Sequence, residues 1–300
     1  MARTLTKEDI RGVFPPALST FDDNEDLDLD TFRRELAYLR DLGATGFVIG
    51  GSTGEGHALT PAELHTLCQV AIDEVRGEIP IVGGVITTYT RDAIVRAQAA
   101  RDAGADGIML TPPIYQPPSD EGMVDYYDRV WREVGLPIVI YNVVPRAPVT
   151  PELTERLADI PGVIATKESI GGNLETLGRI IESVGDRIAV TWAQDPLMFP
   201  GYAMGAVGSI SGINTILPEH SIRMFDAIQR NDLATAAAIH YQMTPVARAI
   251  GLVNWPAGVK AAVNLQGRKV GLARRPYVPL TPEQHSRLEQ ALDACRTVAG

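Results

Sequence analysis

The sequence predicts an α/β protein, a (β/α)8 TIM barrel with a C-terminal helical extension. Three segments of the form Gly-Ala-x-Gly followed by a short apolar run begin at Gly43, Gly104 and Gly205, each after an amphipathic helical stretch. Their spacing is close to two and three times the length of one strand-plus-helix unit of about 30 residues. A glycine there can end the helix in a left-handed turn, so the apolar run that follows is predicted to be a buried parallel strand.

Five further apolar runs bring the predicted strands to eight, and helical patterns separate them. These runs are Gly12–Ser19, Ile81–Val85, Pro137–Tyr141, Val163–Thr166 and Ile188–Trp192. Eight alternating strand–helix units are typical of a parallel sheet that closes into a barrel.

Local signals mark several helices. Residues 28–42 place apolar side chains on one helical face. Thr60 and Thr281 each precede a proline and, three positions on, a Glu or Gln, which predicts a capping box with proline in the first turn. The tail from about Leu233 is predicted to be wholly helical. We therefore expect a barrel over residues 1–232 and a helical region packed on it over residues 233–300.

Composition narrows the possible functions. The 300 residues include 27 basic and 37 acidic ones, and the net charge of −10 repels the phosphate backbone of nucleic acids. No apolar run is long enough for a membrane-spanning helix, and the first residues lack the layout of a signal peptide. Two cysteines and five histidines show no metal-ligand spacing. These features predict a cytoplasmic protein that binds no metal, nucleic acid or membrane.

In a barrel the chemistry is expected at the C-terminal ends of the strands. The second predicted strand ends in Gly50–Gly56, where glycines leave backbone N–H groups open to an anion and two hydroxyls add donors. A flexible turn is the alternative interpretation. The seventh and eighth strands end near Asp195 and Ser211, which add polar groups but no evident acid–base pair.

The sixth predicted strand ends at Lys167. Only four of the 27 basic residues are lysines, and lysine is rarely buried. Burial favours the neutral amine, which is the form that attacks a carbonyl group. The alternative is a lysine paired with a carboxylate such as Glu168. The other lysines, Lys7, Lys260 and Lys269, are predicted to be solvated surface charges.

Two tyrosines follow the fourth and fifth predicted strands. Tyr141 closes a buried strand, so its hydroxyl needs a hydrogen-bond partner, and Tyr115 lies in a proline-rich turn. Either tyrosine could instead be purely structural, packed in the strand or on the barrel rim.

Four motifs occur in order along these units: GGSTGEG, TPPIYQPPSDEG, YNVVPR, and ATKES with GGNL shortly after. Over nearly the whole chain, the sequence resembles the dihydrodipicolinate synthase and N-acetylneuraminate lyase family of class I aldolases. The resemblance implies a Schiff-base-forming lyase that acts on pyruvate, or a related 2-oxo acid, and an aldehyde. It also implies that no metal or organic cofactor is needed, because the protonated imine on a lysine is the electron sink.

The resemblance implies catalytic roles for four residues. Lys167 would form the Schiff base, and Tyr141 would carry protons beside it. Thr53 and Tyr115 would complete a hydroxyl relay with Tyr141. In the synthases of the family, the tyrosine that matches Tyr115 comes from the neighbouring subunit, which implies a homo-oligomer, a dimer of dimers.

The resemblance also implies substrate contacts. Ser52 and Thr53 would hold the carboxylate of the keto acid, and the carbonyl of Ile210 would face it. Arg146 would bind the carboxylate of the second substrate, which suits the fork of donors on a guanidinium group.

The synthase pattern favours aspartate semialdehyde as the second substrate, but the sequence departs from it in four places. The proline of YNVVPRAP is shifted by one position, Ile114 replaces the first tyrosine of a pair, one residue is inserted around Ile170–Gly172, and Ala193 stands where glycine is expected. Alternatives within the family are an N-acetylneuraminate lyase, a 2-keto-3-deoxy sugar acid aldolase or dehydratase, and an aromatic hydratase-aldolase. Outside it, the alternatives are a non-catalytic barrel that binds a 2-oxo acid and a metal-dependent hydrolase, although strand-end histidines for a metal are not found.

Overall fold

Nine parallel strands form one sheet within residues 5–297, the part of the chain that the computed structural model describes. The strands are β1 (Gly12–Phe14), β2 (Pro16–Ala17), β3 (Phe47–Ile49), β4 (Ile81–Val85), β5 (Gly107–Leu110), β6 (Ile138–Asn142), β7 (Val163–Glu168), β8 (Ala189–Trp192) and β9 (Gly208–Ile210). Their order in the sheet is β1-β9-β8-β7-β6-β5-β4-β3-β2. Because β1 and β2 are consecutive in the chain, the sheet closes around the barrel, and the predicted fold class is confirmed.

The first barrel strand differs from the prediction. The run Gly12–Ser19 forms two short strands, β1 and β2, on either side of Pro15. β1 pairs with β9, whereas β2 pairs with β3. Pro15 and Pro16 have no N–H to donate, so the hydrogen-bond ladder is interrupted where the chain changes partner.

Helices surround the barrel. They are α1 (Leu29–Asp41), α2 (Pro61–Val75), α3 (Thr90–Asp102), α4 (Asp120–Val134), α5 (Pro151–Leu157), α6 (Leu174–Val184), α7 (Met198–Ala203), α8 (Gly212–Ile216), α9 (Pro218–Gln229), α10 (Leu233–Ile250), α11 (Trp255–Asn264) and α12 (Pro282–Thr297). Both predicted capping boxes are confirmed, because Thr60 exchanges hydrogen bonds with Glu63 before α2, and Thr281 does so with Gln284 before α12. The three repeat glycines all have positive φ, as expected at helix ends: Gly43, Gly104 and Gly205.

The alternation of side chains along the strands divides the core into two layers. The inner layer fills the barrel with buried apolar residues that include Phe14, Val48, Met109, Val139 and Ile210. The larger outer layer lies between the sheet and the helices. Tyr141 and Lys167 lie two positions beyond Val139 and Ala165 of the inner layer, and they are register partners across β6 and β7. Both side chains are therefore directed to the C-terminal mouth of the barrel.

The C-terminal tail is only partly helical, so the prediction of a wholly helical tail is wrong. Residues 265–281, between α11 and α12, form no helix. Gly267 and Gly271 have positive φ in this segment, and Pro276 and Pro279 lack the N–H groups that a helix would use. The division between a barrel over residues 1–232 and a helical region over residues 233–300 stays a prediction, and residues 1–4 and 298–300 lie outside those described.

Two further observations concern what the described residues could bind. No helix among them is both long and apolar enough to cross a membrane. Across residues 5–297, no group of three or more His, Cys, Asp or Glu side chains is arranged to hold a metal ion.

Candidate active site

The loop after β3, Gly50–Gly56, is built on close backbone contacts. A Cβ atom on Gly54 would lie 2.5 Å from the carbonyl oxygen of Ala17, and one on Gly56 would lie 1.7 Å from the carbonyl oxygen of Gly50. Within the loop, the N–H of Gly56 donates to the carbonyl of Gly51 at 3.0 Å. The glycines therefore fold the loop tightly over the barrel mouth, and its two hydroxyl residues, Ser52 and Thr53, stand at its centre.

Lys167 lies inside the barrel at the end of β7, with 5% of its surface exposed. Its Nζ atom is 4.0 Å from the centre of the Tyr141 ring. Glu168 lies on the other face of the strand, where its carboxylate accepts hydrogen bonds from Asn142 at 2.7 Å and Thr166 at 2.5 Å. The alternative in which Glu168 pairs with Lys167 is therefore wrong, because strand alternation separates the two side chains.

Tyr141 lies beside the amine, and its hydroxyl is held by the Gly50–Gly56 loop. The hydroxyl donates to the Oγ atom of Ser52 at 2.9 Å. Burial raises the pKa of this phenol, but the neighbouring Lys167 charge and the hydrogen bond with Ser52 oppose burial, and the net pKa is below the ordinary tyrosine value. A phenol in this setting can give up and take back a proton more readily than a free tyrosine.

Thr53 has a different partner from the one implied by the predicted relay. Its side chain is buried, and its Oγ1 atom accepts a hydrogen bond from the indole Nε1 of Trp255 at 3.2 Å. In this single chain it is Ser52, the preceding residue, that bonds to Tyr141. Sequence reasoning missed Trp255, because the two residues are 202 positions apart and nothing in the local pattern links them.

Asp195 is a second residue that sequence reasoning undervalued. It follows β8 and accepts a hydrogen bond from the Ser211 hydroxyl. Burial raises the pKa of its carboxyl to about 6, although the Ser211 hydrogen bond and the charge of Lys167 oppose the rise. The barrel mouth therefore holds a carboxyl group near the amine, where the sequence suggested no acid–base pair. Its position at a strand end was the available signal.

The remaining predicted site residues occupy two kinds of position. Ile210 is buried at the end of β9, where it pairs in register with Phe14. Arg146 is exposed in the loop after β6. Tyr115 lies in the loop after β5 with 67% of its surface exposed. One chain thus brings together Lys167 and Tyr141 with the loop of Ser52 and Thr53, and leaves Arg146 and Tyr115 at the surface.

Lys260 is buried, so the prediction that it is a solvated surface charge is wrong. Only 1% of its surface is exposed, and its Nζ atom lies 2.6 Å from a carboxylate oxygen of Glu55. It lies on the face of α11 that is buried among apolar residues such as Val259 and Val263. The helical periodicity of AGVKAAVNL contained this signal, but it could not identify the anionic partner. Lys269, by contrast, is exposed as predicted.

Known proteins with the same architecture extend this description. The model of the Dihydrodipicolinate synthetase family matches residues 9–295. A curated protein named 4-hydroxy-tetrahydrodipicolinate synthase from Methanothrix thermoacetophila is 33% identical over 293 residues, which cover 97% of this chain and 98% of that protein.

Solved structures give the same result. The crystal structure of dihydrodipicolinate synthase from Aquifex aeolicus has a TM-score of 0.90 at 26% identity and covers 95% of this chain and 97% of its own. A prophage protein of E. coli K12, described as a member of the dihydrodipicolinic acid synthase family in complex with pyruvate, has a TM-score of 0.90 at 28% identity, with 96% and 99% coverage. The barrel, the order of its motifs and these whole-length similarities together lead to one conclusion: the chain belongs to the dihydrodipicolinate synthetase family.

Proposed function

We propose that this protein is a Schiff-base-forming lyase that condenses pyruvate with aspartate semialdehyde, the reaction of a 4-hydroxy-tetrahydrodipicolinate synthase. One observation carries the proposal: the amine of Lys167 is buried in the barrel mouth, 4.0 Å from the Tyr141 ring. An amine held there is shielded from water and positioned to meet a ketone. A similar protein is named 4-hydroxy-tetrahydrodipicolinate synthase, and a similar structure is a complex with pyruvate, which supports the proposed activity.

The reaction begins when the Lys167 amine attacks the keto carbon of pyruvate. A C=N bond forms as the carbonyl oxygen leaves as water. The protonated imine withdraws electrons, so a methyl proton is lost and an enamine forms. The enamine carbon then bonds to the aldehyde carbon, and the aldehyde oxygen takes a proton. Displacement of the lysine from the product imine, by water or by an amine of the product, frees the enzyme.

Tyr141 is the proposed proton carrier for these steps. Its ring lies beside the Lys167 amine, its hydroxyl donates to Ser52, and its lowered pKa suits a group that repeatedly gives and takes a proton. Proton transfers by a positioned group typically contribute about 10²- to 10⁴-fold to the rate. Tyr141 has Ser52 as its partner in one chain, so the relay that we propose runs through the hydroxyls of the Gly50–Gly56 loop.

The other predicted residues bind the substrates in this proposal. Ser52 and Thr53 hold the pyruvate carboxylate, and the carbonyl of Ile210 faces the keto acid. Arg146 binds the carboxylate of the aldehyde substrate. Its exposed position in the loop after β6 is compatible with an incoming second substrate.

We further propose that the enzyme is a cytoplasmic homotetramer that uses no metal or organic cofactor. The covalent imine supplies the electron sink that a cofactor would otherwise supply. Tyr115 is exposed on one chain, which supports a site completed by a second copy.

Covalent trapping tests the proposed chemistry. When the protein is incubated with pyruvate and reduced with borohydride, we expect a mass increase of one reduced pyruvate adduct, located on the Lys167 peptide. The Lys167→Ala variant should show no increase, whereas the Lys269→Ala variant, which removes an exposed lysine, should trap like the wild type. An adduct that persists in Lys167→Ala contradicts the proposal.

A substrate panel then tests the proposed aldehyde. Turnover should be highest with pyruvate and aspartate semialdehyde. Faster turnover of N-acetylneuraminate, a 2-keto-3-deoxy sugar acid or an aromatic aldehyde would assign the protein to another activity of the family. Trapping without turnover of any of them would support a barrel that only binds 2-oxo acids.

A further inference from the structure

Helix α11 contacts the Gly50–Gly56 loop at two points, although the two segments are far apart in the sequence. The indole N–H of Trp255 donates to Thr53 at 3.2 Å. The ammonium group of Lys260 lies 2.6 Å from the carboxylate of Glu55. Both contacts join the C-terminal tail to the loop that carries the proposed carboxylate-binding hydroxyls.

Glu55 has an unusual backbone for its residue type. Its φ of 55° and ψ of 33° are in the left-handed region, and its side chain is completely buried. Glycine adopts this conformation without strain and occupies both neighbouring positions, Gly54 and Gly56. A glutamate is favoured here only if its side chain makes a contact that a glycine would lose. Its second carboxylate oxygen accepts the backbone N–H of Arg274 at 2.9 Å.

The Lys260 ammonium group is bound by protein groups. Besides Glu55, it donates to the carbonyl of Leu272 at 2.8 Å and lies 4.4 Å from the centre of the Phe21 ring. Burial lowers its pKa, and the charge of Glu55 opposes that shift. Lys260 also lines a cavity of about 920 Å³ beside α11. Because its ammonium group is already held by Glu55 and Leu272, its role is assigned to the loop and not to that cavity.

We propose that Lys260 is a positioning residue for the active site: by holding Glu55, it keeps the Gly50–Gly56 loop in the conformation that presents Ser52 and Thr53 to the substrate carboxylate. This role rests on the proposed function of that loop. It makes α11 part of the site, with Trp255 orienting Thr53 from the same helix. Lys260 touches no reacting atom in this assignment.

The variant Lys260→Met tests this role. Methionine keeps the unbranched apolar stem of lysine but lacks the ammonium group, so it cannot hold the carboxylate. We expect the KM for pyruvate to rise by about tenfold to a hundredfold, because small misplacements of a binding group have effects of this size. We expect kcat at saturating pyruvate to stay within about twofold of wild type. The variant weakens the binding of pyruvate equally in the ground state and the transition state, so the chemical step keeps its rate. Lys269→Met, which removes an exposed lysine, should change neither constant.

A second variant keeps the test valid if the first does not fold. Lys260→Met alone leaves a buried carboxylate without its cation, which is strongly destabilising. The double variant Glu55→Gln with Lys260→Met removes both charges and keeps an acceptor for the Arg274 N–H. It should fold and still show the raised KM. A folded variant with a pyruvate KM within about twofold of wild type would overturn the proposal. So would failure of both variants to fold, because the pair would then be needed for the fold as a whole.

Hydrogen exchange separates this proposal from the proposed function. In Lys260→Met or the double variant, the amides of Gly50–Gly56 should exchange faster than in wild type, while those of β6 should not. If wild type traps no pyruvate, the proposed function fails, and this exchange still reports whether Lys260 holds the loop. If wild type traps pyruvate and the exchange and KM of the folded variants are unchanged, only the role of Lys260 fails.

Discussion

Lys167 and Glu168 are adjacent in the chain, and their buried side chains lie on opposite faces of β7. Lys167 is directed into the barrel, whereas Glu168 lies on the outer face of β7 with Asn142 and Thr166. Desolvation raises the pKa of Glu168 to about 7, although both hydrogen bonds oppose the rise. Glu168, next to the proposed nucleophile, is thus a buried carboxyl that favours its neutral form. Its protonation therefore affects the stability of the folded protein.

The titration of Glu168 predicts a pH dependence of stability. Its pKa is raised from 4.5 to about 7 on folding, so the folded state binds the proton more tightly than the unfolded state does. This stabilisation is fully present below pH 4.5 and is lost as pH rises through 7. Relative to Glu168→Gln, the unfolding free energy of wild type should fall by on the order of 3 kcal/mol between pH 4.5 and 8.

Urea unfolding of both proteins across this pH range measures the difference. Glutamine does not ionise, and it can donate to Thr166 while accepting from Asn142, so it is a suitable neutral reference. Other titrating groups are common to both proteins and cancel. A difference in free energy that is flat from pH 4.5 to 8 contradicts the assignment of a raised pKa to this carboxyl.

At the scale of elements, Asn142 determines the shape of the loop between β6 and α5. Its side-chain amide donates to the carbonyl of Val149 at 2.8 Å, and its side-chain oxygen accepts the N–H of Val149 at 2.9 Å. These two hydrogen bonds join the ends of the segment that carries Arg146. The end of the strand that presents Tyr141 is therefore also the anchor of the loop proposed to bind the second substrate.

Removal of this anchor has a predicted effect on one substrate only. Asn142→Ala should destabilise the protein by about 1–3 kcal/mol, because buried polar groups of Val149 and Glu168 lose a partner. It should raise the KM for the aldehyde substrate, since Arg146 is no longer held, and leave borohydride trapping of pyruvate nearly unchanged. Steady-state kinetics with each substrate varied in turn, together with trapping, measure the two effects.

Thr150→Ala is the matched control for this loop. Thr150 caps α5 by accepting the N–H of Leu153, so its loss should cost about 1 kcal/mol of stability. It leaves both hydrogen bonds between Asn142 and Val149 in place. Equal changes in aldehyde KM in the two variants would mean that loss of stability, and not release of the loop, is responsible.

At the scale of the whole molecule, the chain is a TIM-barrel lyase of the dihydrodipicolinate synthetase family with an exposed tyrosine at its mouth. Two thirds of the Tyr115 surface is open in one chain. Tyr115 can take part in the relay of Tyr141 if a second copy brings it there, and it is then buried between subunits. The proposed oligomer is in this way part of the proposed mechanism.

Mixed subunits test this arrangement. Lys167→Ala and Tyr115→Phe should each be nearly inactive alone. After the two proteins are unfolded or dissociated together and reassembled, activity should return, because a site with Lys167 from one subunit can receive Tyr115 from the other. Sedimentation of the wild type should show a homo-oligomer. Absence of activity in reassembled hybrids would mean that Tyr115 serves its own chain. Full activity of Tyr115→Phe alone would mean that Tyr115 has no catalytic role.

The fold and the proposed nucleophile could both be predicted from local patterns. The repeated glycines mark where helices end and buried strands begin, and a lysine at such a strand end is directed to the mouth of any barrel of this kind. The split of the first strand at Pro15 and the non-helical residues 265–281 were missed, although prolines and glycines mark both. Whether such a proline or glycine splits a strand or ends a helix depends on which neighbouring strand or helix the chain packs against.

By itself, the sequence determined the alternation of strands and helices, the closed barrel and the position of Lys167, because periodicity and end signals act over a few residues. Only the tertiary structure decided which distant groups meet: Tyr141 with Ser52, Thr53 with Trp255, and Lys260 with Glu55. The physical reason is that a local pattern specifies which face of an element is buried. The partner on that face is selected by how the closed barrel and its tail pack together, over separations that no local pattern spans.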